Sequence, residues 1–151
     1  MNTPAHIETP ADKASIGWTL IFIAWLIATA STLGALFLGE VMGYTPCLLC
    51  WYQRIAMLPL VLVLAAGLFP FDARVVRYAL PLALAGLGLA LFHLALIAGW
   101  IPESIKPCQQ GVPCSDVVVV WFGFVTIPLL SVMAFAAIAA LLLITHIKGS
   151  K

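Results

Sequence analysis

Four long apolar stretches, separated by short segments that hold most of the polar residues, dominate the chain. They run over residues 16–39, 51–69, 75–100 and 117–147. Each has about the 20 residues that a helix needs to cross the ~30 Å hydrocarbon core of a membrane. Lipid cannot hydrogen-bond exposed backbone groups, so a helix is expected for each stretch. The pattern predicts an all-α integral membrane four-helix bundle, with residues 1–151 forming a single membrane domain.

Composition supports the membrane assignment. The chain is 64% hydrophobic and only 9% charged, whereas a soluble domain carries about 25% charged residues. The net charge of +1 gives no reason to expect a nucleic-acid partner. A cleaved signal peptide ending near Ala28–Ala30 is an alternative for the first stretch, but the apolar run continues well past Ala30.

The positive charges are distributed unevenly between the two sides of the predicted bundle. The termini and the middle loop hold five of them, and the other two connections hold two. The five are Lys13, Arg74, Arg77, Lys148 and Lys151, and the two are Arg54 and Lys106. Positive residues favour the cytoplasmic side. We therefore expect both termini in the cytoplasm and two short loops outside it.

Small residues in the third stretch predict close helix packing. Ala85, Gly86 and Gly88 lie within a few residues of one another. In membrane proteins, small residues let neighbouring helices approach closely. Any of the three is therefore a candidate contact point with another helix.

Each external loop holds two cysteines, Cys47 and Cys50 in the first and Cys108 and Cys114 in the second. On the oxidising side of a membrane such residues form disulfides, and four cysteines allow three pairings. One interpretation is a pair of structural staples. A four-cysteine zinc site is another, but the second pair is spaced more widely than a usual zinc motif, and no metal site is predicted. The third is a redox-active dithiol relay.

Two features of the first pair favour redox chemistry. Cys47 and Cys50 are separated by two residues where the second helix is expected to begin, and a helix N-terminus stabilises a thiolate. A disulfide between them would close a very short ring, which restricts the unfolded chain little. A reactive pair therefore explains this spacing better than a staple does.

Arg54 and His93 are the candidate ligand-binding residues. Arg54 follows Cys50 by four residues, on the same helix face, and a charge inside a membrane marks a candidate functional site. The alternative is an arginine whose head group reaches the membrane surface. His93 lies toward the external end of the third stretch. It either faces the same pocket as Arg54 or is simply hydrogen-bonded to a neighbouring helix.

A redox-active dithiol needs an electron acceptor. The sequence contains neither the glycine fingerprint of a nicotinamide or flavin site nor a C-x-x-C-H haem motif. A quinone dissolved in the bilayer, which takes two electrons and two protons and presents carbonyl oxygens to Arg54 or His93, is the simplest acceptor. Thiolate attack through a mixed disulfide would connect it to a protein dithiol.

The sequence resembles the DsbB/BdbC family of membrane thiol–disulfide oxidoreductases over nearly its whole length. The resemblance rests on the four spans, on one cysteine pair in each external loop and on three motifs. These motifs are PCLLCWYQRIAMLPL at residues 46–60, PC-x5-CS at 107–115 and WFGFVTIPLLS at 121–131. The compact second loop is more similar to the BdbC branch. The family resemblance implies a multi-pass protein of the bacterial inner membrane.

The resemblance also implies roles for individual residues. Cys47 and Cys50 would be the pair beside the quinone, with Cys50 as the thiolate nearest the ring. Cys108 would form a mixed disulfide with a thioredoxin-like (DsbA-like) dithiol protein, and Cys114 would pass the reducing equivalents to Cys47.

Three further positions are implied by the same resemblance. Arg54 and His93 would contact the quinone, which is ubiquinone or menaquinone. Gln53 stands where some members have glutamate, so no acid role is expected there.

Two other functions remain open at this point. A vitamin K epoxide reductase-like enzyme also combines helices, external cysteines and a quinone, but there the loop cysteines precede the C-x-x-C pair, the reverse of the order here. A membrane scaffold with stapled loops would not be an enzyme at all. Thiol trapping separates it from a relay, since structural disulfides do not respond to the quinone pool.

Overall fold

The computed structural model describes residues 10–101, 120–121 and 125–149, most of which are helical. The four long helices are α1 (Pro10–Leu36), α2 (Leu48–Leu68), α3 (Val76–Ile97) and α4 (Ile127–Gly149). Each contributes to a segment that is long and apolar enough to cross a membrane. The prediction of an all-helical protein with four membrane-spanning helices is confirmed.

Local sequence sets where these helices begin and end. Pro10 occupies the first position of α1, where the missing N–H of proline has no helical partner to lose. The helix continues as a π segment, Phe37–Val41, and the following turn places Gly43 at φ 71°, a conformation that glycine adopts without strain. At the other end of the bundle, α2 stops before Phe69, because a residue that precedes proline disfavours helical geometry.

A short 3-10 turn, Ala73–Val75, leads into α3. The carboxylate of Asp72 accepts a hydrogen bond from the backbone N–H of Arg74 at 2.9 Å, which satisfies a donor at the start of the helix. Beyond the end of α3, Gly99 has φ 74°. This left-handed residue is the usual way in which a helix terminates.

The fourth helix begins ten residues later than the apolar stretch 117–147 predicted. Two-residue strands precede it, β1 (Val120–Trp121) and β2 (Val125–Thr126), and they pair antiparallel. The sequence of this segment explains the difference, because valine and aromatic residues favour extended backbone. Pro128 then lies in the first turn of α4 rather than inside a helix, and there it removes no helical hydrogen bond.

The four helices pack in a ring, with α1 against α2 and α4, and α3 against α2 and α4. The core combines large side chains with alanines that allow close approach. The largest fully buried side chains are those of Ile21, Leu60, Leu64, Val76, Phe135, Ile138 and Leu142. Many other large apolar side chains are exposed, such as Leu62 at 71% and Leu33 at 61%. Helices that are apolar on every side are suited to a lipid environment.

Only one of the two candidate glycines of α3 is a packing contact. Gly86 is buried, and a Cβ placed on it would overlap the ring of Phe135 on α4. Gly88 is exposed, and a Cβ there would meet nothing within 4 Å. Ala85 is also exposed. The sequence identified the right region of the helix, and the structure assigns the contact to Gly86.

We expect Gly86→Ala to destabilise the bundle. The ring of Phe135 is 1% exposed and occupies the place of the added methyl group, so the ring or the helix must shift, and overpacking of a core costs about 1–3 kcal/mol. Thermal unfolding in detergent micelles measures the loss. Gly88→Ala is the matched control, because it makes the same chemical change on the same helix at an open position. Equal shifts in the unfolding temperature of the two variants would contradict the assignment.

Candidate functional site

The first cysteine pair forms the N-terminal turn of α2, as the sequence predicted. Cys47 caps the helix in an extended conformation, with φ −69° and ψ 168°, and its sulfur accepts a hydrogen bond from the backbone N–H of Cys50 at 3.4 Å. The two Sγ atoms are 2.8 Å apart. The pair is therefore held in an arrangement from which a disulfide can close without movement of the backbone.

His93 joins this pair from α3. Its side chain is 3% exposed, and its Nε2 atom lies 3.9 Å from the Cys47 sulfur. Its Nδ1 atom is 3.2 Å from the Nε2 atom of Gln53 on α2. The two interpretations considered for His93, a hydrogen bond to a neighbouring helix and a place in the pocket of Arg54, are therefore compatible. This side chain is hydrogen-bonded to a neighbouring helix, and it also lines the same cavity as Arg54.

Gln53 is a site residue to which the sequence assigned no function. Its side chain is 7% exposed, and its amide fixes the orientation of the His93 ring. A polar amide buried within a membrane helix, one turn after a reactive cysteine, is the signal in the sequence that points to such a role. Its partner is 40 residues away along the chain, so the contact itself is visible only in the fold.

Arg54 connects α2 to the end of α1. Its Nη2 atom donates a hydrogen bond to the backbone carbonyl of Ala35 at 2.7 Å, and the guanidinium carbon lies 5.5 Å from the centre of the Trp51 ring. Gly39 makes room for the guanidinium, since a Cβ there would come within 3.0 Å of Nη2. Among the described residues, the contacts given for Arg54 are thus with neutral groups.

The electrostatics of the pair favour Cys47 as the hydrogen-bond acceptor. Cys47 lies just before the membrane-spanning part of α2. The hydrogen bond from the Cys50 thiol holds the pKa of Cys47 well below its usual range, and the contact with His93 acts in the same direction. A lowered pKa increases the fraction of the thiolate, which is the reactive form in disulfide exchange.

A cavity of about 630 Å³ lies beside the pair. Residues of all four helices and the loop before α2 line it, and the lining on α1 runs from Ile27 to Leu36, about 14 Å along the helix axis. Apolar side chains supply most of the surface. The polar side chains among the lining residues are Ser31, Thr32, Tyr44, Thr45, Cys47, Cys50, Gln53, Arg54, His93 and Ser131. A mostly apolar cavity with a few convergent polar groups is typical of a small-molecule site.

The structure therefore brings together four of the six residues predicted to form the site, namely Cys47, Cys50, Arg54 and His93. The second pair, Cys108 and Cys114, lies outside the described residues. The predicted relay between the two pairs stays a prediction.

The chain is similar to known disulfide bond formation proteins. The family model for the disulfide bond formation protein DsbB matches residues 17–145. A probable disulfide formation protein of Metapseudomonas resinovorans is 49% identical over 134 residues, which are 88% of this chain and 93% of that protein. Disulfide bond formation protein C of Bacillus subtilis (strain 168) is 41% identical over 133 residues, covering 87% of this chain and 94% of that protein.

No solved structure matches the chain. The family model and the relatives nevertheless cover most of the sequence, including the first cysteine pair, Arg54 and His93. The four helices are long and apolar enough to cross a membrane, and together with the bacterial relatives they identify the chain as a multi-pass bacterial membrane protein. Because the match extends over most of its length, the chain belongs to the DsbB family of disulfide bond formation proteins.

Proposed function

We propose that this membrane disulfide oxidoreductase re-oxidises a thioredoxin-like dithiol protein outside the cytoplasm and passes the electrons to a membrane quinone. The observation that carries the proposal is the position of the Cys47–Cys50 pair on the wall of a largely apolar cavity between membrane-spanning helices. The pair can exchange electrons with a lipid-soluble molecule in that cavity. Its position at the end of α2 also leaves it close to an external loop.

The proposed orientation follows from the charges. Both termini and the loop between α2 and α3 hold the positive excess and would face the cytoplasm. The Cys47–Cys50 pair, at the other end of α2, would then face the oxidising side. Both cysteine pairs would be accessible to an extracytoplasmic partner protein and inaccessible to cytoplasmic reductants.

Disulfide exchange in this proposal moves one pair of electrons through four sulfurs. A thiolate of the partner attacks Cys108 and forms a mixed disulfide, which the second partner thiol resolves, so that the partner is oxidised and Cys108 and Cys114 are reduced. Cys114 then attacks Cys47, which forms a Cys114–Cys47 disulfide and releases the Cys50 thiolate. Cys108 attacks Cys114 in turn, which restores the Cys108–Cys114 disulfide, releases Cys47 and leaves the first pair as the dithiol. A lowered pKa at Cys47 makes this sulfur a good leaving group in the second attack.

The cavity residues fit a quinone. A cavity of about 630 Å³ lies within the range of small-molecule sites, and its apolar lining suits a ring and an isoprenoid chain. Arg54 and His93 supply N–H groups that can bind carbonyl oxygens. A bound quinone supplies an acceptor for two electrons and two protons. In the free protein, the Ala35 carbonyl and the Gln53 amide hold these two side chains in place.

We expect Arg54→Ala to raise the apparent KM for quinone by about 10- to 100-fold, since a hydrogen bond to a charged donor contributes about 1.5–3 kcal/mol. Steady-state assays with a short-chain quinone measure this change. Arg74→Ala serves as the control, because it removes an exposed arginine at the other end of the bundle. An unchanged KM for quinone in Arg54→Ala would contradict the proposed contact. A change in the KM for the partner protein alone would also contradict it.

Anaerobic mixing of the purified protein, a reduced thioredoxin-like donor and a quinone analogue tests the proposed function directly. The quinone absorbance should fall with a stoichiometry of one quinone per donor disulfide formed. If donor oxidation proceeds equally well without quinone, or if the cysteines stay oxidised whatever the state of the quinone, the relay is wrong. The latter result would instead describe a scaffold with structural disulfides.

A further inference from the structure

Cys47, Cys50 and His93 form a cluster of metal-ligating side chains. One donor atom from each residue lies within 4.8 Å of the other two, and the cluster combines two residues of the α2 N-terminus with one residue of α3. Cys47 and His93 are buried. Two thiols and an imidazole are one of the donor sets that zinc takes, and three protein ligands with a fourth position open to water are typical of catalytic zinc sites.

The distance between Cys47 and His93 suits this coordination, and the distance between the two sulfurs needs a rotation of the Cys50 side chain. With zinc–sulfur bonds of about 2.3 Å and zinc–nitrogen bonds of about 2.0 Å, the ligand atoms of a tetrahedral site lie roughly 3.5–3.8 Å apart. The Cys47 sulfur is 3.9 Å from Nε2 of His93, and the two sulfurs are 2.8 Å apart. Rotation of the Cys50 side chain, which is only partly buried, can widen the second distance while the backbone stays in place.

Gln53 is placed to hydrogen-bond the nitrogen of His93 that would not bind the metal. A histidine that binds a metal through one ring nitrogen usually donates its other N–H to a fixed partner. Here the amide of Gln53 lies 3.2 Å from Nδ1 of His93, and a half-turn of this amide presents its oxygen to an Nδ1–H group. Nε2 is then left with a lone pair directed toward the cysteine pair.

Charge also favours a divalent cation. Two thiolates at the edge of the hydrocarbon are costly when they are not neutralised, and one Zn²⁺ ion balances them. We propose that the reduced form of the first cysteine pair binds Zn²⁺ through Cys47, Cys50 and His93, and that this complex holds the pair in the dithiol state. Zinc binds both sulfurs as thiolates, so binding releases any thiol proton that the reduced pair still carries and changes no oxidation state.

The fourth ligand position faces the cavity, because all three ligands are among the residues that line it. Water or a small anion can complete the coordination there. Zinc in this position prevents the two sulfurs from forming a disulfide, so the metal should inhibit electron transfer. This consequence rests on the proposed function, whereas the binding of zinc does not.

The test uses the full-length chain with Cys108→Ser and Cys114→Ser, so that the second pair cannot supply ligands. The protein is reduced in detergent under anaerobic conditions and titrated with Zn²⁺ against a chromophoric chelator. We expect one zinc per chain in the reduced protein. Oxidation of the Cys47–Cys50 pair with diamide should abolish binding. Equal zinc affinity of the oxidised and reduced proteins would overturn the proposal.

Variants identify the ligands. His93→Gln and Cys47→Ser should each weaken zinc binding strongly, and Gln53→Ala should weaken it by about 10- to 100-fold, as is usual for a partner of a metal-bound histidine. His146→Ala is the matched control, because this histidine is exposed near the end of α4. If His93→Gln binds zinc as tightly as His146→Ala does, the assigned site is wrong.

Cobalt gives a readout that does not depend on activity or on chelator competition. Co²⁺ bound to two thiolates in tetrahedral geometry absorbs strongly in the near ultraviolet and shows visible bands. Both features should appear in the reduced Cys108→Ser/Cys114→Ser protein and disappear when Zn²⁺ displaces the cobalt. A spectrum of octahedral cobalt without thiolate bands would overturn the site.

Discussion

We expect the Cys50→Ser protein to lose quinone reduction, with a fall on the order of a thousandfold or more, the scale found when a covalent nucleophile is removed. Cys50 lies 2.8 Å from its partner sulfur and on the wall of the cavity. Without it, Cys47 has no neighbour with which to form the disulfide that releases two electrons. Anaerobic assays that follow quinone absorbance with a reduced donor measure the loss.

A serine at Cys50 keeps the size and the hydrogen-bonding capacity of the side chain, so the fold should survive. Thermal unfolding in detergent, compared with that of the parent protein, verifies this. Partner oxidation should still proceed once, because the second cysteine pair is intact, and then stop. Sustained quinone reduction by Cys50→Ser would show that the electrons leave the protein elsewhere.

The Cys108→Ser protein should show the opposite pattern. Its rate of partner oxidation should fall to the background rate, because the sulfur that is proposed to form the mixed disulfide is gone. The first pair should still be able to reduce quinone. Quinone reduction driven by a small dithiol, which can reach Cys47 and Cys50 without the second loop, should therefore stay within a few-fold of that of the parent protein.

Mass spectrometry of trapped mixed disulfides provides the complementary measurement. A partner variant that lacks its resolving cysteine should accumulate on the parent protein and fail to accumulate on Cys108→Ser. Cys50→Ser is the control, because it removes a cysteine of the other pair, keeps the Cys108–Cys114 disulfide that the partner thiolate attacks, and should still trap the partner. Comparable partial losses of both activities in Cys50→Ser and Cys108→Ser would contradict the proposed division between the two pairs.

Most of the fold could be predicted from hydropathy, because backbone groups in lipid must be hydrogen-bonded, which favours a helix for each of the four long apolar stretches. The residue at which α4 begins could not be predicted in this way. Apolar residues are as frequent in the sequence 117–126 as in the helix that follows, so hydropathy does not separate the two short strands from the helix that begins at Ile127. The choice between Gly86 and Gly88 was also beyond the sequence, since it depends on where the ring of Phe135 lies.

The candidate site also has features that the sequence could predict and features that depend on helix packing. The spacing of Cys47 and Cys50 was enough to place both at the start of a helix, because that depends on neighbouring residues alone. The contacts of His93 with Cys47 and Gln53 join residues 46 and 40 positions apart, and their geometry depends on how α3 packs against α2. This explains why the sequence predicted no metal site, while the folded chain brings two thiols and an imidazole together.

The start of α2 has one further property. Cys47 is redox-active in the proposed function and is also the cap of the helix, since its sulfur accepts a hydrogen bond from the N–H of Cys50. A thiolate is a strong acceptor, whereas a sulfur bonded to another sulfur is a weak one. Each oxidation therefore weakens this hydrogen bond while the new disulfide links the same two residues, and each reduction restores it. The first turn of α2 is thus closed by the cap in one redox state and by a covalent bond in the other, so both sulfurs should keep their places throughout turnover.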